Sequence, residues 1–327
     1  MIRVGILGAG GMGTAHARHY RKMPEVELSF FEKSIERSEA FSHQWQCSPA
    51  TTVDDLIASS DIVDICLPTD LHHDLGLRAI SAGRAVFIEK PLARTLQECA
   101  DLINAASVAQ VPLMTGQVVR FFPEFKRTHQ LVVEGAVGKP AAARMRRGGG
   151  QPKGEGMWFR DYERSGGVLL DLAVHDFDWL RWTLGEVTLV YSRSLGITRG
   201  SGPDYALTTL SFASGAVAHV ESTWMDPSGF RVAVEVAGSE GILEYDSRLT
   251  PSLRTHTAID GIGKTVPEAN FAPEDDPYFQ ELSAFVNAVQ TGSEPPVTGY
   301  DGAMAVSIAL AALESAKTGL AVPPSAV

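Results

Sequence analysis

Two hydrophobic rhythms alternate through the first third of the chain. Short runs rich in β-branched residues predict strands at 3–7, 26–31, 61–67, 85–88 and 113–118. Between them, apolar residues recur every three or four positions and predict helices over 12–23, 35–46, 71–82 and 96–109, with Pro24 and Gly83 as stops. Strand–helix alternation of this kind builds a parallel sheet with helices on both faces. The pattern changes near Arg120. Residues 151–164 follow three glycines, mix Gly, Pro, Trp and charge, and predict a long loop. Strands at 187–197, 204–212, 217–224, 231–236 and 241–245 then follow one another, separated by turn-like "ASGA" and "GSEG". Strands in series without helices predict a mostly antiparallel sheet. Helices over 277–289 and 300–317 close the chain. The expected organisation is α/β, with a doubly wound parallel sheet in residues 1–119 and an α+β domain with an open, mostly antiparallel sheet in residues 120–327.

Charge and cysteine content narrow the partners. The 327 residues carry a formal net charge of −11, which disfavours nucleic acid and anionic membranes as binding surfaces. No apolar run is long enough to span a bilayer. The opening "IRVGILGAG" already reads as a first strand, so no leader is expected. Cys47, Cys66 and Cys99 are odd in number, scattered and without a CxxC, which predicts reduced thiols and a cytoplasmic protein.

The first strand runs into "GILGAGGMG", where Gly8, Gly10 and Gly13 form GxGxxG between a predicted strand and a predicted helix. Gly8 permits the tight turn, Gly10 lets a pyrophosphate approach the backbone, and Gly13 lets helix and strand pack closely. Ala9, Gly11 and Met12 complete the expected cradle, with the helix N-terminus facing the phosphates. Glu32 ends the second strand, about twenty residues further on, where a carboxylate accepts the adenosine ribose hydroxyls and repels a 2′-phosphate. That predicts NAD. Lys33 and Arg37 stand nearby and keep NADP open.

Two further stretches carry chemistry. "FIEKPLA" places Lys90 directly after an apolar strand, at the carboxyl edge where doubly wound sheets bind ligands. An ammonium there can hydrogen-bond a substrate hydroxyl and favour its alkoxide. "SGGVLLDLAVHDFDWL" predicts a helix with Asp171, His175 and Asp178 along one face, because positions i, i+4 and i+7 align. That line is either a solvated stripe or a pocket wall. Metal binding by these three is not expected, since no second histidine stands at ligand spacing. Asp178 is expected in a structural ion pair, with Arg181 as the nearest candidate. Arg144 and Arg146 share one side of a predicted strand and Arg147 takes the other.

"GILGAGGMG", "LPTDLHHDLGLRAISAGRAVFIEKPLA" and "SGGVLLDLAVHDFDWLRWTLG" together resemble the Gfo/Idh/MocA family (glucose–fructose oxidoreductase, inositol dehydrogenase, rhizopine catabolism), and the similarity continues into the closing helices. The resemblance implies a Rossmann domain followed by a domain for substrate binding and oligomerisation. It implies dinucleotide contacts by Leu67, Pro68, Thr69, His72, Glu89 and Lys90, with Lys90 the catalytic lysine. It matches Asp171 and His175 to the family's Asp/His pair, so the stripe faces a pocket. Histidine, with a pKa near neutrality, suits the removal of a hydroxyl proton as hydride leaves carbon. His175 is therefore the expected general base, Lys90 the hydroxyl-polarising donor and Asp171 the carboxylate that orients the imidazole or holds a second substrate hydroxyl. Gln117, Arg120, Trp158 and Arg160 are weaker substrate-side candidates. The expected activity is NAD(P)-dependent oxidation of a secondary hydroxyl of a sugar, inositol or related polyol by a homodimer or homotetramer. The alternatives are a redox-assisted enzyme that retains its cofactor, and a dinucleotide-binding regulator without turnover.

Overall fold

The computed structural model describes residues 1–152, 154–196, 204–249, 253–259, 262–267 and 276–327. The first half is built from β1 (Ile2–Leu7), α1 (Gly11–Tyr20), β2 (Val26–Phe31), α2 (Ile35–Trp45), β3 (Ser48–Pro49), α3 (Val53–Ser59), β4 (Ile62–Ile65), α4 (His72–Ser81), β5 (Ala85–Glu89), α5 (Leu96–Ala109) and β6 (Leu113–Gly116). The six strands form one parallel sheet in the order β3-β2-β1-β4-β5-β6. The chain reverses its winding between β1 and β4, and the crevice beyond the carboxyl ends of those strands is where such sheets bind dinucleotides. β4 and β5 are buried along their whole length, as expected for strands covered on both faces.

After a helix α6 (Pro123–Val133), which opens with proline at its first position, the chain forms β7 (Pro140–Gly148), a 3₁₀ segment, three further helical segments, and a second sheet. The helical segments are α7 (Tyr162–Ser165), α8 (Gly167–Asp171) and α9 (Val174–Leu184). The later strands are β8 (Val187–Leu195), β9 (Tyr205–Phe212), β10 (Val217–Thr223), β11 (Arg231–Gly238), β12 (Gly241–Asp246), β13 (Leu253–Ile259) and β14 (Ile262–Pro267). The sheet runs β14-β13-β12-β11-β7-β10-β9-β8, antiparallel except for the β7–β10 pair. Its central strands β7, β9, β10 and β11 alternate burial with period two: Ala143, Met145 and Arg147 of β7 point inward, where α8 and α9 pack, and Arg144 and Arg146 point outward. α10 (Pro277–Thr291) and α11 (Gly299–Thr318) return to the first half, α10 against α1 and α11 against α5 and β6.

Three expectations change. The stretch at 151–164 is not structureless, since a 3₁₀ segment covers Glu155–Arg160 and α7 follows it. The helix expected over "GVLLDLAVHDFDWL" is two helices. The Ala173 N–H reaches back five residues to the Val168 carbonyl, the Asp176 N–H only three to Ala173, and the register slips between them. The short β3, α3, and the β13–β14 hairpin carry no strong periodicity and were not foreseen. Ile197, expected to end β8, lies outside the described residues. Among the described residues no helix is long and apolar enough to cross a membrane.

Candidate active site

The glycine loop has the shape its sequence predicts. Gly8 takes φ 101°, a left-handed conformation that favours glycine, and a Cβ there would stand 2.8 Å from the Cys66 carbonyl. At Gly13 a Cβ would fall 1.9 Å from the Gly8 carbonyl, which is the close helix–strand approach. At Gly10 and Gly11 a Cβ would meet nothing within 4 Å. Open space therefore lies over the N-terminus of α1, where free N–H groups and the helix dipole favour a pyrophosphate. Glu32 stands over the same loop. It accepts from the Ala9 N–H (3.2 Å), the Ser34 N–H (2.9 Å) and Arg37 Nη2 (2.6 Å). Burial works against the charged carboxylate, but these donors, Arg37 foremost, hold its pKa below the usual range. Arg37 is thus engaged by the acid and not turned toward a 2′-phosphate. The donor set and the open cradle fit a dinucleotide with free ribose hydroxyls.

Lys90 leaves the end of β5 through a cis bond to Pro91 and crosses to the second half of the molecule. Its Nζ donates to the Asp171 carboxylate (Oδ1, 3.0 Å) and to the Asp171 main-chain carbonyl (2.9 Å). That carbonyl lies at the end of α8, where the slip in register leaves last-turn carbonyls without helical partners. Asp171 therefore orients the lysine, a correction to its expected pairing with His175. His175 stands in the first turn of α9 with its Nδ1 buried and unpartnered. Burial, then Lys90 and Arg147, push its pKa well below the ordinary value, so the ring is neutral at pH 7 and able to accept a proton. Arg147 reaches inward from β7 to Asp176, Nε to Oδ1 at 2.8 Å, with both side chains buried. Burial raises the Asp176 carboxyl despite that guanidinium.

Gln117 follows β6 directly. Glu89 pairs with Gly116, so Lys90 and Gln117 leave the sheet side by side. Both polar atoms of the Gln117 amide are buried without a partner.

Other expected contacts are corrected by their partners. His72 is buried, with Nε2 2.8 Å from the Leu67 carbonyl and Nδ1 2.9 Å from the Pro91 carbonyl. It clamps the Leu67–Pro68–Thr69 turn to the lysine loop, and neither ring nitrogen is left for a ligand. The Glu89 carboxylate is buried and engaged within the protein, with Oε1 3.1 Å from His16 Nε2 and Oε2 accepting the Lys90 main-chain N–H. Arg120 is locked to Asp178 by two bonds of 2.7 and 2.6 Å, with Asp301 3.2 Å away. Asp178 thus pairs with Arg120, while Arg181 pairs with Glu186 and Asp301. Arg160 is exposed and donates to Gln151, and Trp158 stacks on Phe159. Asp171, His175 and Asp178 do not converge as metal ligands, because each carboxylate has its own cation. Among the described residues one His/Cys/Asp cluster, His16–Asp64–Cys66, brings ligand-type atoms within 4.8 Å. Those atoms already bond one another.

Sequence reasoning did not single out His16, Asp64, Asp176 or Glu281. The available signal was a charged residue inside an apolar run, Asp64 in "DIVDIC", and a histidine one turn beyond Gly13 on the sheet side of α1.

A family model described as an oxidoreductase family with an NAD-binding Rossmann fold matches residues 2–117, and the GFO/IDH/MocA C-terminal domain model matches residues 125–244. The chain is 32% identical to the uncharacterized oxidoreductase YrbE of Bacillus subtilis, over 98% of this chain and 96% of that protein. It is 30% identical to an inositol 2-dehydrogenase of Rhizobium meliloti, over 96% of each. Among solved structures it superimposes on GenD2 from gentamicin A biosynthesis, in complex with NAD, with a TM-score of 0.89 and 26% identity, covering 99% of this chain and 97% of that one.

Proposed function

The chain belongs to the GFO/IDH/MocA family of NAD-binding oxidoreductases, and on that premise we propose that it oxidises a ring secondary hydroxyl of a sugar, inositol or related polyol. The observation that carries this reading is the Lys90–Asp171 pair beside a neutral, partner-free His175, at the carboxyl edge of the same sheet that forms the glycine cradle.

NAD held over the glycine loop supplies the hydride acceptor. The protein's own groups manage the proton. Asp171 holds the Lys90 ammonium by carboxylate and carbonyl together, which fixes the direction of its remaining N–H. That N–H donates to the substrate hydroxyl oxygen and stabilises the negative charge that grows there. His175, kept unprotonated by burial and by the two neighbouring cations, takes the hydroxyl proton as the carbon gives up hydride. Arg147 is held off the substrate by Asp176, and its charge serves to keep the histidine neutral. Gln117, with a buried amide and no protein partner, offers a donor and an acceptor for the carboxamide of the nicotinamide or for a second substrate hydroxyl.

A panel of inositols, aldohexoses and aldopentoses incubated with NAD tests the reading. NADH formation, followed by its absorbance, is expected with at least one cyclic polyol or pyranose. Absence of turnover across the panel, with both NAD and NADP, would contradict it.

A further inference from the structure

Behind the site lies a buried chain of charged groups that the proposed mechanism does not use. It begins on β4 with Asp64, fully buried, whose Oδ2 stands 2.8 Å from His16 Nδ1. His16 is itself fully buried, on the helix that opens at the glycine loop. Its other nitrogen, Nε2, lies 3.1 Å from Glu89 Oε1, within ion-pair distance though not aimed as a hydrogen bond. The second oxygen of Glu89 accepts the main-chain N–H of Lys90 at 3.1 Å. From there the lysine reaches Asp171. A single line of polar contacts therefore runs from the interior, through the cofactor helix, to the catalytic lysine.

Every element packed on His16 adds to one picture. β4 supplies Asp64 and, just past its end, the Cys66 thiol, 3.2 Å from Nδ1. β5 supplies Glu89. α10 supplies Tyr278, 6.3 Å away ring to ring, and Glu281, buried with both carboxyl oxygens unpartnered. Tyr20 lies on α1 itself. Burial opposes a charged imidazole, but Asp64, with Cys66 beside it, outweighs burial and raises the His16 pKa well above its ordinary value. Burial, then Glu89, push the Glu281 carboxyl far up. An imidazolium between two carboxylates in a dry interior is held in place, because losing either partner strands a buried charge.

We propose that His16 is a positioning residue for the reaction: through the Glu89 carboxylate and the Lys90 main-chain N–H, it fixes where the Lys90 ammonium stands. The proposal rests on Lys90 acting at the substrate hydroxyl. It gives α1 a second duty, since the helix that receives the pyrophosphate also braces the lysine loop.

The test uses the full chain with NAD and the polyol the wild-type protein oxidises. Glu89→Gln keeps the side-chain volume and removes the charge that His16 holds, so it decides the matter even where His16→Gln fails to fold. Each variant is titrated with NADH, and kcat is expressed per NADH-binding site. Both substitutions are expected to lower kcat by about ten- to a hundredfold, the scale of a small misplacement of a reacting group. KM for the polyol and the NADH dissociation constant are expected to stay within about threefold of wild type, and the double variant to fall no lower than the worse single one, because both cut the same line. A merely structural role would leave kcat per site unchanged, or move the loss into NADH affinity, or make the two losses multiply, and any of these would overturn the proposal. Lys90→Ala keeping wild-type kcat is a separate result: it would remove the lysine assignment itself, whatever Glu89→Gln does.

Discussion

In the proposed mechanism His175 sets the pH range in which the site can work. Its pKa is pushed well below 6.5 by burial, Lys90 and Arg147, so the base form persists below neutrality and is lost only at more acid pH. The acid limb of kcat/KM is expected below pH 6.5, and a limb at or above 6.5 in the initial-rate profile would contradict a neutral base in this setting. The same shift bears on stability. Between the depressed folded pKa and the unfolded value near 6.5 the unfolded chain binds the extra proton, so the contribution present at neutral pH is lost as pH falls. Glu32 gives a second residue-level prediction. It holds the Ala9 N–H and Arg37, and in the proposed reading it accepts the ribose hydroxyls, so Glu32→Ala is expected to weaken NADH binding by about ten- to a hundredfold, the worth of one or two charge-assisted bonds. The released Arg37 should narrow the preference over NADPH. Fluorescence titration with both cofactors measures each effect. Both residues stand out in the sequence because a single position in a motif carries their chemistry. Asp171 was legible as a site residue but not as the lysine's partner, since that contact joins positions 81 apart in the chain and depends on where a helix breaks.

The break between α8 and α9 illustrates the limit at the scale of elements. The apolar rhythm of "GVLLDLAVHDFDWL" continues across it, so periodicity alone predicts one helix. The slip is decided by tertiary demands: α8 packs on β9 and β10, α9 on β7 and α11, and the freed Asp171 carbonyl receives the lysine. α9 is fixed from its other side by Asp178, fully buried against Arg120. Burial raises the Asp178 carboxyl even with that guanidinium beside it, which marks a pair whose loss leaves an uncompensated charge. Asp178→Ala is expected to cost about 3–5 kcal/mol in urea unfolding, with the Arg120 guanidinium stranded. A loss below about 1 kcal/mol would mean the pair is solvated. The parallel sheet was legible almost strand for strand, because β-branched runs buried on both faces carry a strong pattern. The two-residue β3, the short α3 and the β13–β14 hairpin were not, because too few residues repeat for a period to emerge.

At the scale of the whole molecule, the two halves are tied together by side chains, one pair of which also builds the site. Lys90 reaches Asp171, Arg94 donates to the carbonyls of Tyr162 and Glu163, and Arg164 pairs with Asp70. The alternation put Arg144 and Arg146 on one side of β7 and Arg147 on the other, and the structure covers the side of Arg147. The outer face carries exposed Leu189, Tyr191, Leu207, Val217 and Ile242 around charged pairs such as Arg144–Glu235, and a depression of about 560 Å³. An apolar face of that kind favours association of copies. We expect a homodimer or homotetramer by light scattering, and Leu207→Lys is expected to shift it toward monomer. The central claim, that His175 takes the hydroxyl proton and Lys90 stabilises the oxygen it leaves while NAD accepts the hydride, is tested most directly by a single-turnover experiment. Wild-type protein, Lys90→Ala and His175→Ala, each shown to bind NADH, are mixed with NAD and the polyol, and NADH formation is followed by its absorbance. Loss of about a hundredfold or more in the rate for each variant, on the scale of general acid–base catalysis, with NADH affinity retained, is the predicted result. A variant that forms NADH at the wild-type rate would show that its side chain takes no part in the proton's removal.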